Sequence, residues 1–201
     1  MIRSPLRAGL ALACALSLSA CGGGDGEYYL GGAVYGINKG NLVLKNNNNG
    51  ATVTITQAGE FYFPELVEAD SRYDVVVESV PDNIANKEAC VVTKGQGRAT
   101  FNINTIRVNC TINTHKLTGT ITGLGSASGL VLVNGDNKVE VPAGATTFAM
   151  GNVPEDGKYG ITVLQQPAGL NCTVANGVGT MLKADIGNVQ VNCASTTTPS
   201  A

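Results

Sequence analysis

Leu30-Gly31-Gly32-Ala33-Val34-Tyr35-Gly36 comes back later in the chain as Leu117-Thr118-Gly119-Thr120-Ile121-Thr122-Gly123, and reading the two as one unit decides the fold. Agreement continues in order on both sides of the chain. Leu42-Val43-Leu44 matches Leu130-Val131-Leu132, Phe61 matches Phe148, Tyr73 matches Tyr159 and Pro81 matches Pro167. Each copy closes in the same way, Cys90 answering to Cys172 and Val108-Asn109-Cys110 to Val191-Asn192-Cys193. So many landmarks in one order predict two homologous domains, 28–112 and 113–194, joined by a short link through Asn113, Thr114 and His115.

Within a copy the pattern is that of strands. Ala51-Thr52-Val53-Thr54-Ile55-Thr56 alternates with period two, and Tyr73-Asp74-Val75-Val76-Val77-Glu78 and Tyr159-Gly160-Ile161-Thr162-Val163 carry the β-branched excess of half-buried strands. Asn and Gly clusters at 46–50, 134–137 and 176–177 supply residues that tolerate the positive φ of tight turns. No stretch beyond the leader shows a 3.6-residue apolar period. Residues 64–70 allow one helical turn at most. The composition agrees: 14% charged residues in 201, with 26 glycines and no tryptophan, excludes a coiled coil, a helix bundle or highly charged disorder. The expected fold class is all-β, two tandem Greek-key β-sandwich domains of about seven short strands each.

The succession of Gly-x-Val, Leu-Val-Leu, then Gly59, Phe61 and Phe63, then Leu66 and Tyr73-x-Val75-x-Val77 resembles prealbumin-like and carboxypeptidase-regulatory-like β-sandwich modules, or immunoglobulin-like ones. The closing half of each copy is similar to repeats of uncharacterised proteobacterial lipoproteins, through its Gly-x-Gly turn (Gly95 and Gly97; Gly177 and Gly179) and Val-Asn-Cys. These resemblances imply a fold and an envelope location, not an activity.

At the start of the chain Arg3 and Arg7 precede an apolar run at 10–18 and the small residues Ser19 and Ala20. That is a secretory signal over 1–20, because the run is far shorter than the roughly 20 residues of a membrane span. Leu18-Ser19-Ala20-Cys21 resembles the lipobox of bacterial lipoproteins, which implies cleavage before Cys21 and acylation of its thiol and new N-terminus. Gly22 after it, where an Asp would retain the protein at the inner membrane, implies the outer membrane. Residues 21–27 then form a tether whose root-mean-square reach is about 12–15 Å. Residues 195–201 read as a disordered tail.

Cys14 leaves with the leader and Cys21 takes lipid, so four cysteines remain. Four allow three pairings. Since each copy should close its own bond, the expected disulfides are Cys90 with Cys110 and Cys172 with Cys193. Zinc clusters favour cysteines two to four residues apart, and none are so spaced. No metal or cofactor is expected.

Catalytic chemistry is hard to assemble. His115 is the only histidine and falls in the link, where it reads as solvated rather than as a base held beside a nucleophile. The carboxylates Glu65, Glu68 and Asp70, and Glu155 with Asp156, read as a solvated rim rather than a glycosidase pair. Asn134-Gly135-Asp136-Asn137 lacks the spaced carboxylates of a calcium loop and reads as a hairpin turn. Without the leader, 11 basic side chains face 15 acidic ones, so no nucleic-acid-binding patch can be built.

Eight of the ten aromatic residues lie in the first copy. If Phe61, Phe63 and Val34 face the core, Tyr62 and Tyr35 face out, where the second copy has Ala149 and Thr122. The expected partner-binding residues are therefore Tyr35 and Tyr62. The chain reads as a non-enzymatic, lipid-anchored envelope protein, a structural or protein-interaction module. A glycan- or peptidoglycan-binding subunit is the alternative, and a carboxylate-based hydrolase a weaker one.

Overall fold

The computed structural model describes residues 26–196. The leader, the lipidation motif at Cys21, most of the tether and residues 197–201 lie outside the described residues. The first half runs β1 (Glu27–Tyr28), β2 (Leu30–Tyr35), β3 (Leu42–Asn46), β4 (Thr52–Ile55), β5 (Gly59–Tyr62), β6 (Val67–Glu68), β7 (Arg72–Ser79), β8 (Cys90–Thr93), β9 (Gln96–Arg98) and β10 (Ile103–Cys110). The second runs β11 (Thr114–Thr122), β12 (Leu130–Asn134), β13 (Asn137–Val141), β14 (Thr147–Pro154), β15 (Lys158–Gln165), β16 (Leu170–Ala175), β17 (Val178–Thr180) and β18 (Ile186–Ser195). The protein is all-β, as its alternating pattern requires, with one 3-10 turn at Lys87–Ala89 before β8.

Each half is a pair of four-stranded sheets. In the first, β5-β2-β10-β8 faces β4-β3-β7-β9; in the second, β14-β11-β18-β16 faces β13-β12-β15-β17. The two orders are the same order, element for element. Even the irregularities repeat: the ladder slips between Val43 and Leu44 and between Val131 and Leu132. Two separate apolar clusters result, one around Leu30, Val34, Leu44 and Val108, the other around Leu117, Leu132, Ile161 and Val189. Fully burying such a side chain contributes about 1.5–3 kcal/mol, so these rows dominate stability.

The first and last long strands of each half lie parallel, β2 beside β10 and β11 beside β18. This sets direction along the molecule. β2 and β10 both run from the end where the chain enters toward the end where it passes into β11.

Three local expectations change. Residues 64–70 form no helical turn; Tyr28 pairs with Val67 and Glu27 with Glu68, so the segment is drawn into a two-stranded ladder, β1 with β6. The tether accordingly ends before Glu27. At the far end β18 continues through Ser195, which pairs with Leu170, and the Thr196 N–H donates to the Gly169 carbonyl. Backbone pairing there outweighs the polar composition that pointed to an unpacked tail.

Candidate functional site

The two disulfides join residues that stand directly opposite each other in an antiparallel ladder. Cys90 on β8 bonds Cys110 on β10, and Cys172 on β16 bonds Cys193 on β18. Each fastens an edge strand to the interior of its sheet. Gly36 and Gly123, with φ of 72° and 75°, sit against the carbonyls of Cys110 and Cys193, where any Cβ would collide with the backbone.

Tyr35 and Tyr62 both face out of the β5-β2-β10-β8 sheet, 49% and 47% exposed. They do not form one patch. Tyr62 stands opposite Gly31 at the entry end, whereas Tyr35 ends the same strand four residues on, about 13 Å away at strand rise. Tyr62 lies across Gly31, whose missing side chain makes room for the ring, and meets Tyr29 edge-on with centroids 6.2 Å apart. Tyr35 instead heads an outer row with Asn109 and the exposed Val91. The same outer row in the second half is Thr122, Asn192 and Thr173, with the Thr122 hydroxyl donating to Asn192 Oδ1 at 2.8 Å.

A polar junction between the halves is the feature that sequence reading missed. His115 is not a solvated link residue. Its Nε2 lies 2.7 Å from Glu155 Oε1, and because a carboxylate can only accept, the ring N–H donates. Glu155 is not on a solvated rim either: it is 4% exposed, and its Oε2 has no hydrogen-bond partner among the described residues. The ring's Nδ1 faces Asp185 Oδ1 at 3.8 Å. Around this pair Asn38 Nδ2 donates to the Glu155 carbonyl, Asn83 Nδ2 to Asn38 Oδ1 and Asp156 Oδ2, and the Glu155 N–H to the Asn113 carbonyl. The only signal in the sequence was that polar pairs, Asn38-Lys39, Asp82-Asn83 and Glu155-Asp156, interrupt the strand pattern; nothing local says that they meet.

Lys39 and Lys183 both reach Asp82 at 2.7 Å. Hydrogen bonds from Lys183 and then Lys39 hold the Asp82 carboxyl down at about 2, and the bond to Asp82 raises Lys39. A depressed carboxylate stabilises the fold above its unfolded value near 4 and loses that contribution as pH falls toward 2. These groups are exposed, so the effect is small and screened by salt. The expected result is a carboxyl titration midpoint near 2 for Asp82 by NMR, moving up toward 4 in Lys183→Ala; an unmoved midpoint would show that the bridge does not form in solution.

Of the other carboxylates, Glu65, Glu68 and Asp70 are exposed, with Asp70 bonded to Arg98 at 2.6 Å. Among the described residues no cluster of His, Cys, Asp and Glu is arranged to hold a metal. Asn134-Gly135-Asp136-Asn137 is the β12–β13 hairpin turn, and Asn134 Oδ1 accepts from the Gly160 N–H. Asn46 accepts from the Asp74 N–H at the equivalent place, so this asparagine is a clamp built into both copies. Open grooves of about 600 and 890 Å³ flank the strand edges near Val77 and near Tyr159.

No family model matches the sequence, and no curated protein matches it. Among solved structures the chain is similar to the Bacillus anthracis TIE protein, with 13% identity and a TM-score of 0.39 over 83% of this chain and 34% of that one. It is also similar to the major pilin protein T-13 of Streptococcus pyogenes, with 10% identity and a TM-score of 0.26 over 84% and 97%. The chain thus spans about a third of the length of the first of these.

Proposed function

We propose that the protein is a lipid-anchored envelope protein that works without catalysis, as a structural or interaction module of two tandem domains, 28–112 and 113–194. The observation that carries the reading is the unequal surface of two otherwise matched halves. On one sheet face the first copy presents Tyr35 and Val91, where the second presents Thr122 and Thr173, whose hydroxyls both donate to Asn192. Recognition concentrates in a few aromatic anchors. The partner, an envelope protein or a glycan strand, docks on the face headed by Tyr35. Leader, lipobox and disulfides agree on the compartment, since disulfides persist outside the reducing cytoplasm.

Two experiments test this. A palmitate analogue should label the wild type and not Cys21→Ser; equal labelling of both refutes the anchor. Crosslinking in the native envelope and titration with peptidoglycan fragments should identify a partner whose capture falls at least about tenfold in Tyr35→Ala, the loss of one central anchor. Stability should change little, because Tyr35 ends β2 with half of its surface in solvent. Tyr62→Ala is a poorer probe of binding, because it uncovers Gly31 and removes an edge-on ring pair worth about 1 kcal/mol. Normal capture by Tyr35→Ala would place the partner elsewhere.

A further inference from the structure

The end of the first half that faces the tether carries an exposed apolar cluster. Tyr29 (55% exposed) and Tyr62 (47%) meet edge-on, and Phe101 (60%) and Leu66 (37%) stand in the neighbouring loops. The loops are tied to this end: the Tyr29 N–H donates to Asn102 Oδ1, the Ile103 N–H to the Tyr29 carbonyl, and Val67 pairs with Tyr28. The repeat makes the cluster informative, because in the second copy the same end lies against the first half. There the Asp156 N–H donates to the Met181 carbonyl as the Asp70 N–H does to that of Ala99, and the Lys116 N–H to Asp185 Oδ1 as the Tyr29 N–H does to Asn102 Oδ1, so Leu182, Lys183 and Ala184 stand where Thr100 and Phe101 do. By the same alignment Lys116, Ala149 and Asn152 replace Tyr29, Tyr62 and Leu66. That end meets the first half through polar bonds, including Lys183 to Asp82, while Lys116, Ala149 and Asn152 stay exposed. The first copy's end has no such neighbour among the described residues, and its exposed side chains include three aromatic rings where the second copy has none.

The occupant is constrained by chain length. Only six residue steps separate Cys21 from Glu27, a fully extended span of about 20 Å. We infer that Tyr29, Tyr62, Leu66 and Phe101 form a docking surface for the lipid headgroup layer, seating the first half directly on the bilayer to which Cys21 is tethered. This inference rests on the lipid-anchor reading proposed above. Aromatic rings suit the interface between headgroups and acyl chains. Tethering makes the contact intramolecular, so a patch too small to bind vesicles from solution can still hold the domain down. The charges at this end narrow the lipid class: Glu27, Glu65, Glu68 and Asp70 outnumber Arg72 and Arg98, so a zwitterionic surface is favoured over an anionic one.

Because the chain has no tryptophan, Phe101→Trp places a single indole reporter in the full-length protein. Val178→Trp, at a 79% exposed site in the second half, is the control. Both are reconstituted in phosphatidylethanolamine and phosphatidylcholine vesicles carrying brominated acyl chains, and the mass of the N-terminal peptide is read alongside. The expected result is a blue-shifted, bromine-quenched emission at 101 and a water-like, unquenched one at 178, with quenching lost in Tyr29→Ser/Tyr62→Ser. A lipidated Phe101→Trp protein whose indole emission stays water-like overturns docking and leaves the anchor standing. An N-terminal peptide without lipid overturns the anchor and the docking with it. Quenching that requires anionic lipid overturns the assigned surface. Self-association in detergent, lost in the same double variant, would assign the patch to a second copy of the chain instead.

Discussion

His115→Ala is expected to lower the unfolding free energy by about 3 kcal/mol, because it strips the partner from a carboxylate that folding has taken out of water. Glu155 is 4% exposed and one of its oxygens already lacks a partner, so the His115 N–H is what its side chain has. Glu155→Gln keeps the volume and an oxygen to accept that N–H while removing the charge; its cost should be about 1 kcal/mol. In the double variant the uncompensated charge is gone, so the losses should not add, leaving a coupling of about 1–2 kcal/mol. Urea unfolding of the four proteins gives this cycle directly. If His115→Ala costs no more than an ordinary surface substitution, the pair is incidental. The variant carries a second readout, since Asn38, Asn83 and Asn113 all bond to the segment that His115 holds. The two halves should unfold with separate midpoints in His115→Ala and with closer ones in the wild type.

This pair shows where the sequence stops being readable. Strands, their facing and the cysteine pairs within a copy follow from local alternation and from the repeat: Leu42 and Leu44 go in, Tyr35 and Tyr62 go out, and each cysteine finds its partner 20 or 21 residues away. Which strands become neighbours does not follow from alternation, because a period of two fixes only the face a residue takes. Hence the parallel pairing of β2 with β10 was invisible. Contacts between copies are more remote still. Asn38 and Glu155 lie 117 residues apart in the chain, and the Glu155 carbonyl accepts from a side chain that its own copy does not supply.

The repeat also hid a difference within its own signal. Gly97 and Gly179 look like turn glycines, yet each is needed because the hydroxyl of Tyr73 or Tyr159 lies 2.6 Å from where its Cβ would be. The Gly-x-Gly element is thus a seat for a buried tyrosine in both copies. Conversely the outward tyrosines looked like one site and are two, since strand position, not facing, decides which side chains share a patch. Tyr62 belongs with Tyr29 at the entry end and Tyr35 with Val91 near the junction.

Replacing both cysteines of one disulfide by alanine is expected to cost about 3 kcal/mol, the chain entropy released by opening a loop of about 20 residues. For a domain of this size that corresponds to a fall of about 12–24 °C in midpoint. Sequence separations of 20 and 21 make the entropic terms equal, so any difference must come from what each bond fastens. β8 has four residues and four registered pairs with β10, whereas β16 has six residues and six pairs with β18. Without Cys90–Cys110 the shorter edge strand has little left to hold it. Hydrogen exchange should therefore show lost protection across β8 and the Asn109 and Arg107 amides, while β16 keeps most of its protection in the Cys172→Ala/Cys193→Ala protein. Calorimetry of the two variants also tests the division at 112–113. Two domains with separate cores require each variant to depress the transition of its own half, with the other half moved only through the polar bonds that Asn38, Asn83 and Asp82 make across the junction. If either pair of substitutions lowers both halves equally, the apolar clusters unfold as one unit and the repeat describes ancestry of sequence rather than independence of folding.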